Sequence, residues 1–480
     1  MAEVSNIKFG TSGWRAKIAD EFTFENVRII TQAIADYLWD VGTGSFFQYR
    51  KMNPSPHPVP KIVVGYDTRF LSENFALTAS HVLAGNDIKV LLTERDTPTP
   101  VISYEIIRQK LSGGINITAS HNPKEYNGLK FSPSWGGPAT PESTSSIEKL
   151  IGRNEIKTSL NSGIEKFDAS KFYLKRVKEL VDLKAIKKSK LKIVIDTLYG
   201  TGRGYLDKIL EETGKVKKVL HDYRDVQFGG GTPEPSSSNL EELRRELKNT
   251  GSHLGLALDG DADRFGILDS DGTFITPNQV IAILLNHLIK TRKYKGCVVR
   301  TVSTTHFIDA LAKKLNVEVK ETPVGFKYIG EIMTKEDIII GGEESGGLTI
   351  HRHIPEKDGI LACLLIAELV AIEKKTIKDY LKALYKEVGL YLTDRIDITL
   401  EQDKKDMLVK SLETNPPGEI SGIKVKSVDR KDGFKFNLHD GTWVLIRFSG
   451  TEPKVRVYIE ADSKEKLNAL ASAGRKLVVG

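Results

Sequence analysis

Cysteine is scarce: 480 residues hold only Cys297 and Cys363, each inside an apolar run. Packing is their expected role, which excludes a disulfide framework and suits a reducing compartment, so the cytoplasm is the expected location. Long hydrophobic runs are also missing. The two longest, 280–289 and 360–372, are broken by Asn286-His287 and by Glu368 and fall short of a bilayer span. They are expected as core helices, and no membrane partner is expected. Residues 1–8 lack an apolar core, so no secretory signal is expected. Charge of one sign is in slight excess only, +7 from 70 basic and 63 acidic residues that interleave along the chain. The densest basic stretch, 184–192, reads as a solvated loop before a strand, and nucleic acid is not an expected partner. The balance favours mild attraction for small anions.

What the chain does have is length and pattern. With 40% hydrophobic residues it can bury several cores, and its length suggests roughly three or four domains. Three stretches repeat strand, glycine-bearing loop and helix, the pattern of α/β layers. The first runs from Lys61-Ile62-Val63-Val64 through an apolar-periodic segment to Ile117. The second runs from 191–195 through Asp196-Thr197-Leu198-Tyr199-Gly200 to an acidic loop. The third runs from 297–302 to Gly341-Gly342-Glu343-Glu344-Ser345-Gly346-Gly347. From about Lys386 shorter alternating strands follow, with Asp440-Gly441 as a hairpin signal and a helix over 463–478. The expected fold is therefore four-domain α/β: three similar layered domains with mixed sheets and a C-terminal α+β domain, with the active site in a central cleft. Its expected divisions are 1–167, 168–273, 274–386 and 387–480.

Two six-residue strings carry the chemistry. Asp259-Gly260-Asp261-Ala262-Asp263-Arg264 follows the apolar run Gly255-Leu256-Ala257-Leu258. In an extended segment the three aspartates at i, i+2 and i+4 share one side. Three hard oxygen ligands suit Mg²⁺, and an EF-hand is excluded because its sixth position would be Arg264 and its twelfth Ser270. An acidic turn is the plain alternative, but a turn needs one aspartate rather than three. Thr118-Ala119-Ser120-His121-Asn122-Pro123 offers one hydroxyl in a loop that leaves a strand, where open α/β sheets place ligands. Ser120 could also make a local turn bond, and His121 could pack or cap.

Three further loops suit the same ligand. Arg447, Ser449, Gly450 and Thr451 combine a guanidinium, two hydroxyls and a close backbone N–H, a set that fits a phosphate monoester. Glu343 and Ser345, between glycines, read as acceptors for sugar hydroxyls or as a plain strand-to-helix turn. Arg15, after Gly10-Thr11-Ser12-Gly13-Trp14, is a weaker anion-binding candidate.

Taken in order, these strings resemble the α-D-phosphohexomutase superfamily, the phosphoglucomutase/phosphomannomutase group, over essentially the whole chain. The resemblance implies a phosphoprotein isomerase of carbohydrate metabolism. Ser120 would be carried as phosphoserine, with Ser120, Asp259, Asp261 and Asp263 holding Mg²⁺. The phosphoryl group would pass between a hexose 1- or 6-phosphate and Ser120 by way of a hexose 1,6-bisphosphate, which also serves as activator. Arg264 would stabilise charge, and Arg15 and Lys327 would help bind substrate. The phosphate clamp would be Arg447, Ser449, Gly450 and Thr451, and Glu343 and Ser345 would hold the sugar O3 and O4. For proton transfer Lys130 is favoured, with His121 and Lys327 as alternatives, because the histidine that some members carry two residues after the sugar-loop serine is Gly347 here. A monomer or homodimer acting on phosphosugars is expected.

Gly342-Glu343-Glu344-Ser345-Gly346 with Thr322-Pro323-Val324-Gly325-Phe326-Lys327 looks more like glucose-specific or dual glucose/mannose members than phosphoglucosamine mutases. Glucose is thus expected first, with phosphomannomutase, phosphopentomutase or phosphoglucosamine mutase as alternatives. A phosphosugar-binding regulator without turnover lies outside the enzyme class. Loss of the serine or of an aspartate would favour it, and all four are intact.

Overall fold

The computed structural model describes residues 7–10, 13–43, 59–160, 163–448 and 454–479. Its strands fall into four sheets. The first has the order Trp14–Lys17, Tyr126–Pro133, Gly113–Ile117, Lys61–Tyr66, Lys89–Thr93, Ile164–Phe167, antiparallel at the Trp14 edge and parallel beyond. Both faces are covered, as a parallel sheet requires. Ile62, Val64, Ile115 and Ile117 pack with Ile30, Ile34, Phe75 and Leu83 of the helices Phe24–Thr43 and Ser72–Gly85, whereas Val63 and Leu91 meet Ile102 and Ile106 of Thr99–Gln109 on the other side.

The second sheet runs Phe274–Ile275, Phe265–Asp269, Leu254–Leu258, Ile193–Asp196, Val216–Leu220, and the third Val319–Thr322, Cys297–Thr301, Ile338–Glu343, Gly347–Ile350. Both are mixed. They share one large core through the helix Gly359–Glu373, whose residues from Gly359 to Ala371 are all buried. A helix apolar on every side has to lie between layers, which explains the run over 360–372. The other anticipated core helix is Pro277–Arg292, opened by a Thr276/Gln279 capping box. Phe274–Ile275 hydrogen-bonds to the second sheet, so that sheet extends two residues past the division expected at 273.

The basic stretch over 184–192 is not simply a loop. Asp182 accepts from Ala185 N (2.9 Å) and caps a helix, Leu183–Lys188, that buries Ile186 before the chain turns into the strand.

The fourth sheet is wholly antiparallel, in the order Leu392–Thr399, Lys454–Ala461, Trp443–Phe448, Phe434–Leu438, Ile423–Asp429, Glu419–Ile420. Helices Gln402–Thr414 and Lys464–Val479 cover one face. Trp443, Leu445 and Tyr458 on the other face pack on Val302 and Val324 of the third unit. Among the described residues no helix is long and apolar enough to cross a membrane.

Candidate active site

The strand Gly113–Ile117 ends in the loop 118–125, where Ser120 sits at φ +51°, the left-handed region. For a residue other than glycine this costs about 1–3 kcal/mol and persists only where the surroundings enforce it. Thr118 Oγ1 accepts Ser120 N (2.8 Å), but the main constraint is Arg69, which is fully buried. Its guanidinium donates to the carbonyls of Ser120 (2.6 Å), Asn122 (2.6 Å), Pro123 (2.7 Å) and Tyr126 (3.0 Å), and to Asp67 Oδ2 (3.1 Å). Arg224 of the second unit in turn holds the carbonyls of Thr68 (3.0 Å) and Arg69 (3.1 Å). The strained serine is thus pinned from two layers.

The aspartates converge by a different route from strand alternation. The strand Leu254–Leu258 stops before Asp259, and residues 259–264 form a turn in which Ala262, at φ +56°, donates its N–H to Asp259 O (3.0 Å). Ligand atoms of Asp259, Asp261 and Asp263 nonetheless lie within 4.8 Å of one another, all buried. Asp259 Oδ2 accepts from Ser120 Oγ at 2.7 Å, which joins the two loops. Lys130 Nζ bridges Asp261 Oδ2 (2.6 Å) and Asp263 Oδ2 (2.9 Å), the Thr99 hydroxyl donates to Asp261, and Lys357 Nζ lies 3.2 Å from Asp263 Oδ2. Among the described residues, Asp261 Oδ1 and Asp263 Oδ1 are buried without a hydrogen-bond partner. Two orphaned hard oxygens beside Asp259 and Ser120 fit Mg²⁺, whereas an ordinary turn would satisfy them.

The charges here are strongly biased. Burial, with Asp263 and Asp261, pushes the Asp259 carboxyl well above its usual range. Burial and Asp263 push Asp261 in the same direction, but Lys130 outweighs them and its pKa falls. Burial also opposes the ionised form of Asp263, yet Lys130, Lys357 and Arg264 hold it well below the carboxylate range. Burial disfavours charged Lys130, but Asp261 and Asp263 win and its pKa rises. In these contacts Lys130 is a charged donor, the opposite of the depressed pKa that a general base needs. His121 shifts the other way: burial, Arg264 and Arg15 push it well below its ordinary value, and its Nδ1 lies 3.4 Å from Ser120 Oγ. Arg15 donates to Asn122 Oδ1 (2.7 Å) and faces Arg264, Asp261 and Asp263. Arg264 N donates to Asp259 Oδ1 (2.9 Å).

Glu343 ends the strand Ile338–Glu343 and starts a hairpin rather than a strand-to-helix turn, since Glu343 pairs with Gly347. Its Oε1 accepts from Gly325 N (2.9 Å), and burial raises its pKa against the pull of Lys357 and Arg264. Ser345 is half-buried in the turn. Lys327, in the first turn of Phe326–Lys335, lies over the Tyr328 ring, and burial lowers its pKa. Among the described residues no ion pair involves it. Arg447, on Trp443–Phe448, donates through Nε to Asp432 Oδ2 (2.9 Å). Ser449, Gly450 and Thr451 lie outside the described residues. Ser120, His121, Lys130, Arg15, Arg264 and the three aspartates thus form one cluster, while Glu343 faces it through Lys357 and Arg264.

Sequence reasoning missed Arg69, Lys357 and Asp432. Each had a faint signal: the charged pair of Asp67-Thr68-Arg69 directly after an apolar strand, the charged run Glu356-Lys357-Asp358 before the apolar helix, and an Asp432-Gly433 turn.

Family models match the chain in four successive pieces: phosphoglucomutase/phosphomannomutase alpha/beta/alpha domain I over residues 6–158, domain II over 171–272, domain III over 276–388, and the C-terminal domain over 405–476. A Thermococcus kodakarensis protein named phosphoglucomutase/phosphomannomutase is 32% identical over 87% of this chain and 90% of its own. A Methanosphaera stadtmanae protein, provisionally named a phosphoglucosamine mutase, is 31% identical over 96% of both. A crystal structure from Thermus thermophilus, provisionally assigned as a phosphomannomutase, superposes with a TM-score of 0.83 at 34% identity over 99% of both chains.

Proposed function

Because the chain belongs to the phosphoglucomutase/phosphomannomutase family, we propose that it interconverts hexose 1-phosphate and hexose 6-phosphate, glucose first, through a phosphoserine at Ser120 and a hexose 1,6-bisphosphate. The observation that carries this reading is Ser120 Oγ, strained and pinned, 2.7 Å from Asp259 in a cluster of three buried aspartates. Asp259, Asp261, Asp263 and a phosphate oxygen on Ser120 would hold Mg²⁺, which supplies charge neutralisation at the transferring phosphoryl group.

In each half-reaction the bond between Ser120 Oγ and phosphorus breaks while one from phosphorus to a sugar hydroxyl oxygen forms, or the reverse. The hydroxyl proton needs an acceptor, and the released Ser120 Oγ needs positive charge or a proton. His121, held neutral 3.4 Å from Ser120 Oγ, suits acceptance, and protonated Lys130 suits stabilisation and donation. Arg15 and Arg264 add fixed positive charge where phosphate oxygens would lie. Arg447, with Ser449, Gly450 and Thr451, is assigned the second phosphate, and Glu343 with Ser345 the sugar hydroxyls. Lys327 is kept as a substrate contact, the hexose 1,6-bisphosphate as activator, and 1–167, 168–273, 274–386 and 387–480 as the working domain divisions.

Glucosamine is the second reading, because a relative matched over 96% of both chains carries that provisional name. A coupled assay with glucose 1-phosphate, mannose 1-phosphate, glucosamine 1-phosphate and ribose 1-phosphate tests both. Turnover of glucose 1-phosphate well above the others is the expected result, and preference for glucosamine 1-phosphate selects the second reading. No turnover of any of them by Mg²⁺-loaded, bisphosphate-primed protein overturns the enzyme assignment.

A further inference from the structure

Arg447, the clamp residue that lies among the described residues, is already held. Asp432 Oδ2 accepts from its Nε at 2.9 Å, and the same oxygen accepts from Val324 N at 2.8 Å. One carboxylate oxygen of the fourth unit therefore joins the arginine of that unit to a backbone amide of the third. The next amide, Gly325 N, donates to Glu343 Oε1 at 2.9 Å. Arg447, Asp432, Val324, Gly325 and Glu343 make an unbroken chain of short contacts and one peptide link.

Three features argue against an incidental surface pair. Asp432 is placed by its neighbour: Gly433 has φ +92°, and a Cβ there would stand 2.4 Å from Ile446 O, so the turn lies hard against the strand that carries Arg447. The bond uses Nε and not the two terminal guanidinium nitrogens, the fork that reads an oxyanion. The attachment of the two units also has its own support elsewhere. Buried Glu460 accepts from the Thr305 hydroxyl, His306 N and Trp443 Nε1, Lys435 Nζ donates to Val302 O, and Trp443, Leu445 and Tyr458 pack on Val302. Asp432 is not needed to dock the units.

We propose that Asp432 is a positioning residue that couples the phosphate clamp to the sugar-reading carboxylate: it aims Arg447 and, through Val324 and Gly325, sets the donor that orients Glu343. A second tie, Arg395 Nη1 to Glu344 Oε1 at 3.3 Å, fixes the residue after Glu343 to the same unit. The two grips on the substrate are then interdependent, so that the sugar is read well only when the clamp is in register. This inference rests on the roles assigned above to Arg447 and Glu343.

A double-mutant cycle tests it, with glucose 1-phosphate binding measured by calorimetry on the full chain. Asp432→Ala should weaken binding about tenfold, the size of a lost charge-assisted contact. Glu343→Gln should cost at least about threefold less in the Asp432→Ala background than in the wild type, because Glu343 is already misplaced there. Asp432→Asn keeps an acceptor oxygen for Val324 but removes the charge beside Arg447. It should bind more weakly than wild type while keeping the full sensitivity to Glu343→Gln, a split that a merely structural role would not produce. Losses that add within about twofold, with wild-type thermal stability, overturn the coupling and leave the proposed function standing. Should Asp432→Ala fail to fold, loss of the Glu343→Gln sensitivity in Asp432→Asn would overturn the route through Val324. If the wild-type chain binds no glucose 1-phosphate, the inference falls together with the choice of glucose.

Discussion

A Cβ on Gly260 would stand 2.6 Å from the carbonyl oxygen of Ser120. The serine loop and the aspartate loop, 140 positions apart, approach so closely that one of them must lack a side chain at the contact. The same approach brings Ser120 Oγ to Asp259 Oδ2. Gly260→Ala should separate the loops by a fraction of an ångström to an ångström, because the clash is with backbone. Overpacking of this kind costs about 1–3 kcal/mol, and a displacement near 1 Å can lower turnover about a hundredfold. Thermal unfolding should show a modest loss, and steady-state assay a fall in kcat larger than that in affinity for glucose 1-phosphate. Unchanged kcat would mean that the loops need not touch.

Ser120 gives a prediction that separates chemistry from strain. Ser120→Ala and Ser120→Gly should both lose nearly all turnover and the mass increment of one phosphate on the peptide containing residue 120. They should differ in stability. At φ +51° alanine keeps the left-handed penalty and glycine does not, so the glycine variant should melt no lower than the alanine variant, although glycine costs about 0.4–1 kcal/mol through the unfolded chain. A phosphate-bearing, active Ser120→Ala protein would remove the mechanism.

Much of this site was legible because its chemistry is carried by short strings: Ser120, the three aspartates and Arg264 can be picked out without coordinates. The means of convergence was not legible. Alternation along a strand puts i, i+2 and i+4 on one side, but here the strand ends at Leu258 and Ala262 turns left-handed, in a loop whose Asp259 and Gly260 lie close against Ser120 and Gly200 from distant parts of the chain. Arg69 was invisible for a related reason. Its partners are four backbone carbonyls more than 50 positions away, and carbonyls leave no mark on a sequence. Lys357 and Asp432 act across units, where no residue spacing records the contact. The run over 360–372, apolar but for Glu368, was correctly readable as a buried helix, but not that it would serve two sheets at once.

The orphaned oxygens of Asp261 and Asp263 lead to a metal prediction. Asp261→Asn preserves shape and the contact with the Thr99 hydroxyl while removing a charge, and should lower turnover at least about a hundredfold, since charge stabilisation of phosphoryl transfer is worth several kcal/mol. EDTA should abolish activity and Mg²⁺ restore it, with a detectable rise in melting temperature on adding Mg²⁺ to stripped wild-type protein. That rise should be absent in Asp261→Asn. Full activity in EDTA would reduce the three aspartates to partners of Lys130 and Lys357.

The junction of the third and fourth units should be acid-sensitive. Burial, Lys435 and Arg300 push His306 down to about 3 from an ordinary 6.5, against the weaker pull of Asp309 and Glu321. The folded chain therefore binds fewer protons here than the unfolded chain between those values, and stability falls as pH drops from 6.5 toward 3. Glu321, held below the carboxylate range by Arg300 and Lys435 against burial, adds a loss of the same sign at lower pH. Glu460, raised by burial, opposes it in part. The melting-temperature difference between wild type and His306→Gln should be constant above neutrality, narrow below pH 6.5 and then reverse. A difference independent of pH would show that His306 does not titrate against this network.

Glu343 is the residue whose assignment the sugar itself can decide. A bisphosphate that turns end for end must be recognised in both orientations through hydroxyls that exchange places, and O3 and O4 meet that condition while O2 does not. Gly325 N holds one oxygen of Glu343, which leaves the other as acceptor. Glu343→Gln keeps the shape but replaces a charged acceptor, and hydrogen bonds to charged groups are worth about 1.5–3 kcal/mol. Turnover efficiency should fall about ten- to a hundredfold for glucose and mannose phosphates alike. Phosphorylation of Ser120 by saturating glucose 1,6-bisphosphate should persist. A variant altered only in its glucose-to-mannose ratio would be reading O2, and the assignment of this hairpin to O3 and O4 would fall.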